Sequence, residues 1–216
     1  MQKGEKMFNS SKNKIFIEKN ISEIKDLTRI LFIDDEEMDL IDSLNSDGWR
    51  TKHIKDLDSF NNTDLIDSQI ICVDIIGVGK KLKFKDEGLG LVKAIKQEYP
   101  YKKTILYSSL TTHNIFDNAI DMVDKKVYKD GQVYPFIAAI EELAKNHFNW
   151  NDYVLDIYNK YKKDFNKDID FNEFNKKFKS LFSRNNSIDK DSVIKITGSS
   201  LSVAANIAQI MSLFIK

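Results

Sequence analysis

The sequence predicts an α/β fold: a doubly wound, five-stranded parallel sheet followed by an all-helical C-terminal extension. Between residues 28 and 148, short apolar runs alternate with amphipathic helical segments five times, which is typical of a parallel sheet covered by helices. From residue 149 onward no apolar run of that quality recurs, and apolar residues repeat at helical spacing. We therefore predict an N-terminal extension over 1–27, an α/β domain over 28–148 and a helical module over 149–216.

Three strongly apolar runs and two more polar stretches are the predicted strands. They cover residues 29–34, 49–54, 69–76, 104–109 and 125–129. The first, third and fourth runs are nearly continuously apolar up to their last residues, as expected of strands that are buried on both faces of a parallel sheet. The second run, WRTKHI, is more polar, which favours a position near a sheet edge.

The segments between and after these runs have the spacing of helices. Helices are predicted over 36–44, 59–66, 87–99, 115–123 and 136–148 within the α/β part, and over 151–165, 171–183 and 199–215 in the C-terminal module. Pro135 precedes the fifth helix, where its missing N–H does no harm. Phe171, Phe174, Phe178 and Phe182 fall on one helical face, which predicts a packed core.

Composition excludes several classes of function. The 216 residues include 33 basic and 33 acidic side chains, so the chain as a whole is not steered toward nucleic acid or an anionic membrane. No signal peptide and no membrane-spanning stretch is visible, because the longest near-apolar segment, 201–215, is too short. Cys72 is the only cysteine, so no internal disulfide can form, and we expect a cytoplasmic protein.

Polar side chains stand where four of the predicted strands end. Asp34 and Asp35 follow the first strand, Asp74 lies near the end of the third, Ser108 near the end of the fourth, and Lys129 at the end of the fifth. The carboxyl ends of parallel strands meet at one edge of the sheet, so these groups are expected to converge.

The converging groups point to one kind of chemistry. Three close carboxylates repel one another unless a cation lies among them, and hard oxygen ligands suit Mg²⁺. A hydroxyl and an ammonium supply the hydrogen bond and the counter-charge that a phosphoryl group needs. The pattern predicts phosphoryl transfer to a carboxylate, with Asp74 as the nucleophile because it stands alone at the central strand.

At these residues the sequence resembles the receiver domain of two-component response regulators, a flavodoxin-like fold. The likeness runs from about Thr28 to Phe148 and rests on five pieces in order: FIDDEE, CVDII, EGLGLVKAIK, ILYSS and VYK. The resemblance implies a signalling module, not an enzyme, that at most catalyses its own phosphorylation and dephosphorylation. It also implies that a histidine kinase or a phosphorelay protein is the partner that supplies the phosphoryl group.

The resemblance also assigns roles to individual residues. Asp34, Asp35, Asp74 and the backbone carbonyl of Ile76 would hold Mg²⁺, and Asp74 would accept the phosphoryl group. Ser108 would be the switch hydroxyl, and Lys129 would pair with the phosphate.

The sequence departs from the family pattern at several positions near Lys129. Asp130 stands where a proline is usual, and Lys126 stands where an aromatic switch residue is expected. The loop 77–88 is longer than usual and rich in lysine, and it is interpreted as an exposed insertion. These departures leave open a pseudo-receiver scaffold that works through protein contacts without phosphorylation.

A phosphatase of the haloacid-dehalogenase type is a more remote alternative. That chemistry needs a second aspartate two residues after the first, as general acid, whereas Asp34 is followed by Asp35 and then Glu36.

The C-terminal module does not reveal its output. It has no helix-turn-helix glycine turn, zinc ligands or catalytic motif, so nucleic-acid binding is not expected. Its last helix, 201–215, is apolar nearly all round and would be costly to expose. We expect this helix to pack against the other C-terminal helices or against a second copy, which makes a homodimer through the C-terminal helices possible.

Overall fold

Five strands form one parallel sheet. The structure, a computed structural model, describes residues 19–108, 123–129, 133–165, 169–182 and 188–214. The strands are β1 (Arg29–Ile33), β2 (Arg50–Ile54), β3 (Ile70–Asp74), β4 (Lys103–Ser108) and β5 (Lys125–Tyr128). Their order is β2-β1-β3-β4-β5, and every neighbouring pair is parallel. The predicted doubly wound sheet is confirmed, with β2 at an edge, and this strand order is the flavodoxin-like one.

Helices surround the sheet and continue beyond it. They are α1 (Ile21–Leu27), α2 (Asp39–Ser46), α3 (Thr63–Asp67), α4 (Glu87–Glu98), α5 (Val133–His147), α6 (Trp150–Phe165), α7 (Phe171–Phe182), α8 (Lys190–Thr197) and α9 (Leu201–Ser212). The all-helical C-terminal region is therefore confirmed. The helix predicted over 115–123 and most of the N-terminal extension, residues 1–18, lie outside the described residues.

Alternate residues of each central strand enter two different cores, because side chains alternate across a sheet. Leu31 and Ile33 of β1 belong to a core that α3 and α4 cover. Ile30 and Phe32 belong to the opposite core, which α1, α2 and α5 cover. The central strands are thus buried on both faces, as their continuous apolar sequences predict.

The C-terminal helices extend the first of these cores. Only Phe148 and Asn149 separate α5 from α6, and the side chain of Asn149 accepts hydrogen bonds from the first backbone N–H groups of α6. Phe214, just after α9, packs edge-on against Trp150 with ring centroids 5.5 Å apart. The prediction that the last helix packs against the other C-terminal helices is confirmed within one chain, whereas the homodimer stays a prediction.

Two helix predictions were wrong in detail. Helix α8 was not predicted, although its boundaries carry ordinary helix-capping signals. The carboxylate of Asp189 caps the helix by accepting from the N–H of Ser192, and Gly198 ends it with φ of +63°. The second helix begins at Asp39 and not at residue 36, so Asp34 and Asp35 lie on a loop.

None of the helices described is both long enough and apolar enough to cross a membrane.

Candidate functional site

Three carboxylates meet at the carboxyl edge of the sheet. Asp34 follows β1 directly, and Asp74 is the last residue of β3. The register pairs Ile33 with Val73, which sets Asp34 and Asp74 level with each other. Carboxylate oxygens of Asp34, Asp35 and Asp74 all lie within 4.8 Å of one another. The convergence predicted for these three residues is therefore observed.

Asp34 is the most tightly held of the three. It is fully buried, and one carboxylate oxygen accepts a hydrogen bond from the Glu36 N–H at 2.9 Å. The other oxygen accepts from the Tyr107 hydroxyl at 2.9 Å and lies 3.0 Å from Lys129 Nζ. Because donors surround both oxygens, Asp34 acts mainly as a fixed negative charge within the site.

Asp74 is nearly buried but is held by fewer groups. Its Oδ1 accepts from the Ile75 N–H at 2.8 Å, and its Oδ2 lies 3.0 Å from Lys129 Nζ. Burial raises the pKa of Asp74 above its ordinary value and the nearby charge of Asp34 adds to this, although the hydrogen bond and charge of Lys129 oppose it.

Lys129 connects the two buried carboxylates. Its backbone N–H donates to the Ser108 carbonyl at 2.7 Å, which places it directly beyond the end of β4. Burial alone would lower the pKa of Lys129, but the hydrogen bonds and charges of Asp74 and Asp34 outweigh it and raise the pKa. Lys129 is therefore a firmly charged ammonium between two carboxylates.

Asp35 is exposed, in contrast to the other two carboxylates. A side chain at Gly77 would collide with it, since a Cβ there would lie 2.3 Å from Asp35 Oδ1. Gly77 also has φ of +91°, a conformation that favours glycine. Glycine at position 77 thus lets the loop after β3 come close to the exposed carboxylate.

The loop after β3 is held in place by its backbone. The Asp56 carboxylate accepts hydrogen bonds from the N–H groups of Gly79 at 2.5 Å and of Lys81 at 2.9 Å. Glu87 accepts from the Gly77 N–H at 2.6 Å, at the start of α4. The lysine side chains of the 77–88 loop are exposed, as predicted. The loop backbone, however, is anchored next to the site by these hydrogen bonds.

The remaining predicted site residues lie at the same edge. Ser108 is the last residue of β4 and is 1% exposed, and it lies level with Tyr128 in the register with β5. Ile76 lies on the loop after β3 and is 48% exposed. Lys126 lies inside β5, level with Leu106 of β4. Asp130 lies outside the described residues.

Tyr107 is a site residue that the sequence analysis missed. It is fully buried beside Asp74 in the register of β3 and β4, and it donates to Asp34. Lys129 Nζ lies 5.5 Å from the centre of its ring. A tyrosine near the end of a fully buried strand is itself a signal, because a buried hydroxyl needs a polar partner.

The donor set fits a divalent cation. Three carboxylates and one ammonium carry a formal charge of about −2, which one Mg²⁺ would neutralise, and all the donors are hard oxygens. The exposure of Asp35 leaves one side of the cluster open to solvent.

Comparison with known proteins shows that this chain is similar in fold to several solved structures. No protein-family model matches the sequence, and no curated protein matches it. Among solved structures, the receiver domain of NtrX from Brucella abortus is 22% identical with a TM-score of 0.45, covering 54% of this chain and 98% of that one. A CheY-like response regulator receiver domain protein from Methanospirillum hungatei JF-1 is 20% identical with a TM-score of 0.42, covering 56% and 96%.

A longer match includes part of the C-terminal helices. NtrX from Brucella abortus in complex with ATP is 18% identical with a TM-score of 0.47, covering 74% of this chain but only 36% of that one. The chain thus spans about a third of that protein. These likenesses concern the fold alone, and they carry no argument about activity.

Proposed function

We propose that this protein is a signal receiver that accepts a phosphoryl group on Asp74 and passes the change to its C-terminal helices. The observation that carries the proposal is the arrangement of Asp74, which is nearly buried, level with Asp34, and bound by Lys129 Nζ at 3.0 Å. This is a carboxylate held next to a fixed cation, with further carboxylates at the distance that one metal ion requires.

The chain's own residues divide the work of phosphoryl transfer. A carboxylate oxygen of Asp74 attacks phosphorus, and the bond between phosphorus and the donor's leaving group breaks. Lys129 pairs with the transferred phosphoryl oxygens, so its ammonium must loosen its present contact with Asp74 Oδ2. Ser108, at the end of the neighbouring strand, supplies the hydroxyl that binds the phosphorylated form.

Mg²⁺ would be held by Asp35, Asp74 and the backbone carbonyl of Ile76, with Asp34 close behind them. When bound, it offsets the charge that gathers on the phosphoryl oxygens. Asp35 is best placed for direct binding because it is exposed, whereas Asp34 already accepts hydrogen bonds from Glu36, Tyr107 and Lys129.

A route from the site to the C-terminal helices runs through aromatic rings. The Tyr107 hydroxyl contacts Asp34, and its ring meets Phe136 of α5 edge-on at 5.5 Å between centroids. Helix α5 is joined to α6 by two residues. A shift of Lys129 or Asp34 on phosphorylation would therefore reach α5 directly, without the aromatic switch residue that Lys126 replaces.

The function is tested by phosphorylating the full chain with acetyl phosphate and Mg²⁺ and measuring the intact mass. We expect one phosphoryl group on the wild type, none on Asp74→Asn, and one on Asp58→Asn, a control at an exposed acid that is not part of the carboxylate cluster. The wild type should also stay unmodified when a chelator removes Mg²⁺.

The second candidate is a receiver-like scaffold that is never phosphorylated, which the lysine at position 126 favours. An unmodified wild type under these conditions, or equal modification of Asp74→Asn, would contradict the phosphoacceptor and favour the scaffold. A histidine kinase or phosphorelay protein is the partner we propose for the phosphoacceptor, with signal transduction in the cytoplasm as its setting.

A further inference from the structure

A cavity of about 240 Å³ lies between α6, α7 and α8 and shares no residue with the acidic site. Its apolar walls include Tyr158, Phe174 and Ile196, and its polar lining includes Lys162, Lys177 and Lys195. The three lysines come from three different helices and are all exposed. The cavity therefore combines an apolar interior with cations at its solvent side.

The aromatic wall is held in place before any ligand binds. The Tyr158 hydroxyl donates to the Ile169 carbonyl at 2.8 Å, which fixes the orientation of the ring. The same ring packs against Phe174 with centroids 5.3 Å apart, and Phe174 packs against the fully buried Phe178 at 4.7 Å. A ligand here would meet preformed flat surfaces, which reduces the entropy lost on binding.

The charge of the lining has one sign. Among the described residues that line the cavity, three are lysines and none is acidic. Lys162 Nζ lies 5.5 Å from the centre of the Tyr158 ring, so it is already close to the aromatic wall. Lys177 forms a surface pair with Glu173 at 2.9 Å, and such exposed pairs are weak enough to exchange for a better partner.

We propose that this cavity binds a small organic anion with a flat apolar body. Its volume equals that of about eight water molecules at roughly 30 Å³ each, which suits a ligand with one or two fused rings. The rings would lie against Tyr158 and Phe174, and a carboxylate, sulfonate or phosphate would face the lysines. The C-terminal module would then respond to a metabolite independently of the acidic site, and this proposal does not rest on the phosphoacceptor function.

The test compares two probes of the same shape, 2-naphthoate and neutral 2-naphthamide, by calorimetric titration of the full chain. We expect one 2-naphthoate to bind per chain, at least about fivefold more tightly than 2-naphthamide, because only the anion gains from the lysines. Lys177→Glu combined with Lys195→Glu should remove this preference. Ile196→Trp, which fills the cavity and leaves the lysines in place, should abolish binding of both probes.

Matched controls lie on the same two helices as Lys177 and Lys195. Lys176 and Lys190 are exposed but do not line the cavity, so Lys176→Glu combined with Lys190→Glu should keep the full preference. The proposal is overturned if 2-naphthoate does not bind, if the amide binds as tightly as the anion, or if the control pair loses as much affinity as the lining pair. Binding that survives Ile196→Trp would place the ligand elsewhere and would overturn it as well.

Discussion

The carboxyl edge and the amino edge of the sheet differ in the sign of the charge that is concentrated there. At the carboxyl edge, three carboxylates cluster, two of them contact the ammonium of Lys129, and the third, Asp35, is exposed. At the amino edge, the excess lies with lysines: the fully buried Lys102 donates to the carbonyls of Ile66 at 2.7 Å and Ser68 at 2.5 Å.

The amino edge is also closed by the C-terminal helices. Lys103 Nζ pairs with Asp156 of α6 at 2.5 Å, and Lys160 of the same helix donates to the Gln97 carbonyl. Asn206 of α9 donates to the Ile66 carbonyl at 2.9 Å, the same oxygen that Lys102 contacts. Backbone carbonyls and the Asp156 carboxylate are the partners of the buried lysines here, whereas the carboxyl edge keeps an uncompensated negative charge that a ligand can neutralise.

Because of this difference, we expect substitutions at the two edges to have different effects. Substitutions at the amino edge are expected to change the free energy of unfolding, because they remove partners of buried groups. Substitutions of the exposed member of the carboxyl edge are expected to change ligand binding and to leave stability nearly unchanged.

The largest expected effect is that of Lys103→Met at the amino edge. The Lys103 side chain is 8% exposed and that of its partner Asp156 is 26% exposed, so the substitution leaves a mostly buried acid without this cation. We expect a loss of about 3 kcal/mol in the free energy of unfolding at pH 7, measured by urea denaturation. Lys145→Met, which removes an exposed pair with Glu141, is the control and should change stability by less than about 0.5 kcal/mol. Equal effects of the two substitutions would contradict a closed amino edge.

The next effect concerns pH and His147, at the end of α5. Its imidazole is fully buried, and burial, aided by the nearby charges of Lys103 and Lys102, lowers its pKa to about 3. The unfolded chain binds a proton at this residue below about pH 6.5 and the folded chain does not, so protonation favours unfolding. Stability contributed by His147 is therefore complete above about pH 6.5 and is lost as the pH falls toward 3.

The loss should amount to about 1.4 kcal/mol for each pH unit below about 6. Urea denaturation at pH 6.5 and pH 4.5 should show a larger loss in the wild type than in His147→Leu, by about 2 kcal/mol. Parallel losses in the two proteins would mean that His147 binds its proton in the folded state.

At the carboxyl edge, Asp35→Asn should act on Mg²⁺ binding. We expect affinity to fall by about 10- to 100-fold, measured by calorimetric titration, while the urea midpoint in the absence of metal stays nearly unchanged. Asp34→Asn should lower both the Mg²⁺ affinity and the urea midpoint, because Asp34 is also the partner of the Tyr107 hydroxyl and the Lys129 ammonium inside the protein. Asp39→Asn, an exposed acid on α2, should change neither. Equal Mg²⁺ affinities in the wild type and in Asp35→Asn would remove the exposed carboxylate from the metal site.

The smallest effect is expected for Tyr107→Phe, which removes one hydroxyl and keeps the ring against Phe136. The lost hydrogen bond ends on a charged carboxylate, so we expect a loss of about 1.5 kcal/mol in stability at pH 7. Tyr134→Phe, at a side chain that is 75% exposed, serves as the control. If both variants match the wild type, the Tyr107 hydroxyl does not hold Asp34.

Much of the carboxyl edge could be predicted from the sequence, because strand ends are local signals. Asp34, Asp74 and Lys129 each follow an apolar run, and parallel pairing brings such positions together whatever the loops between them do. Tyr107 was missed because nothing local shows which of the two sheet faces it enters or which carboxylate it meets.

The amino edge could not be predicted in the same way. Its contacts join residues far apart in the chain, such as Asn206 with Ile66 and Asp156 with Lys103. Lysines at 102 and 103 resemble an ordinary solvated turn before a strand, and nothing local shows that they are buried against Ile66, Ser68 and Asp156. Helix α8 was missed for another reason, since its eight residues are too few for a clear apolar period.

The most direct test of the central claim locates the phosphoryl group chemically. The full chain is treated with acetyl phosphate and Mg²⁺ and then with borohydride, which reduces an aspartyl phosphate to homoserine, and the peptides are sequenced by mass spectrometry. The structure predicts homoserine at position 74 and aspartate at positions 34 and 35. Asp34 is also held by the Glu36 N–H and the Tyr107 hydroxyl, and Asp35 is exposed, whereas the Lys129 contact with Asp74 Oδ2 can be displaced. Homoserine at position 34 or 35, or none at all, would contradict the assignment of Asp74 as the phosphoacceptor.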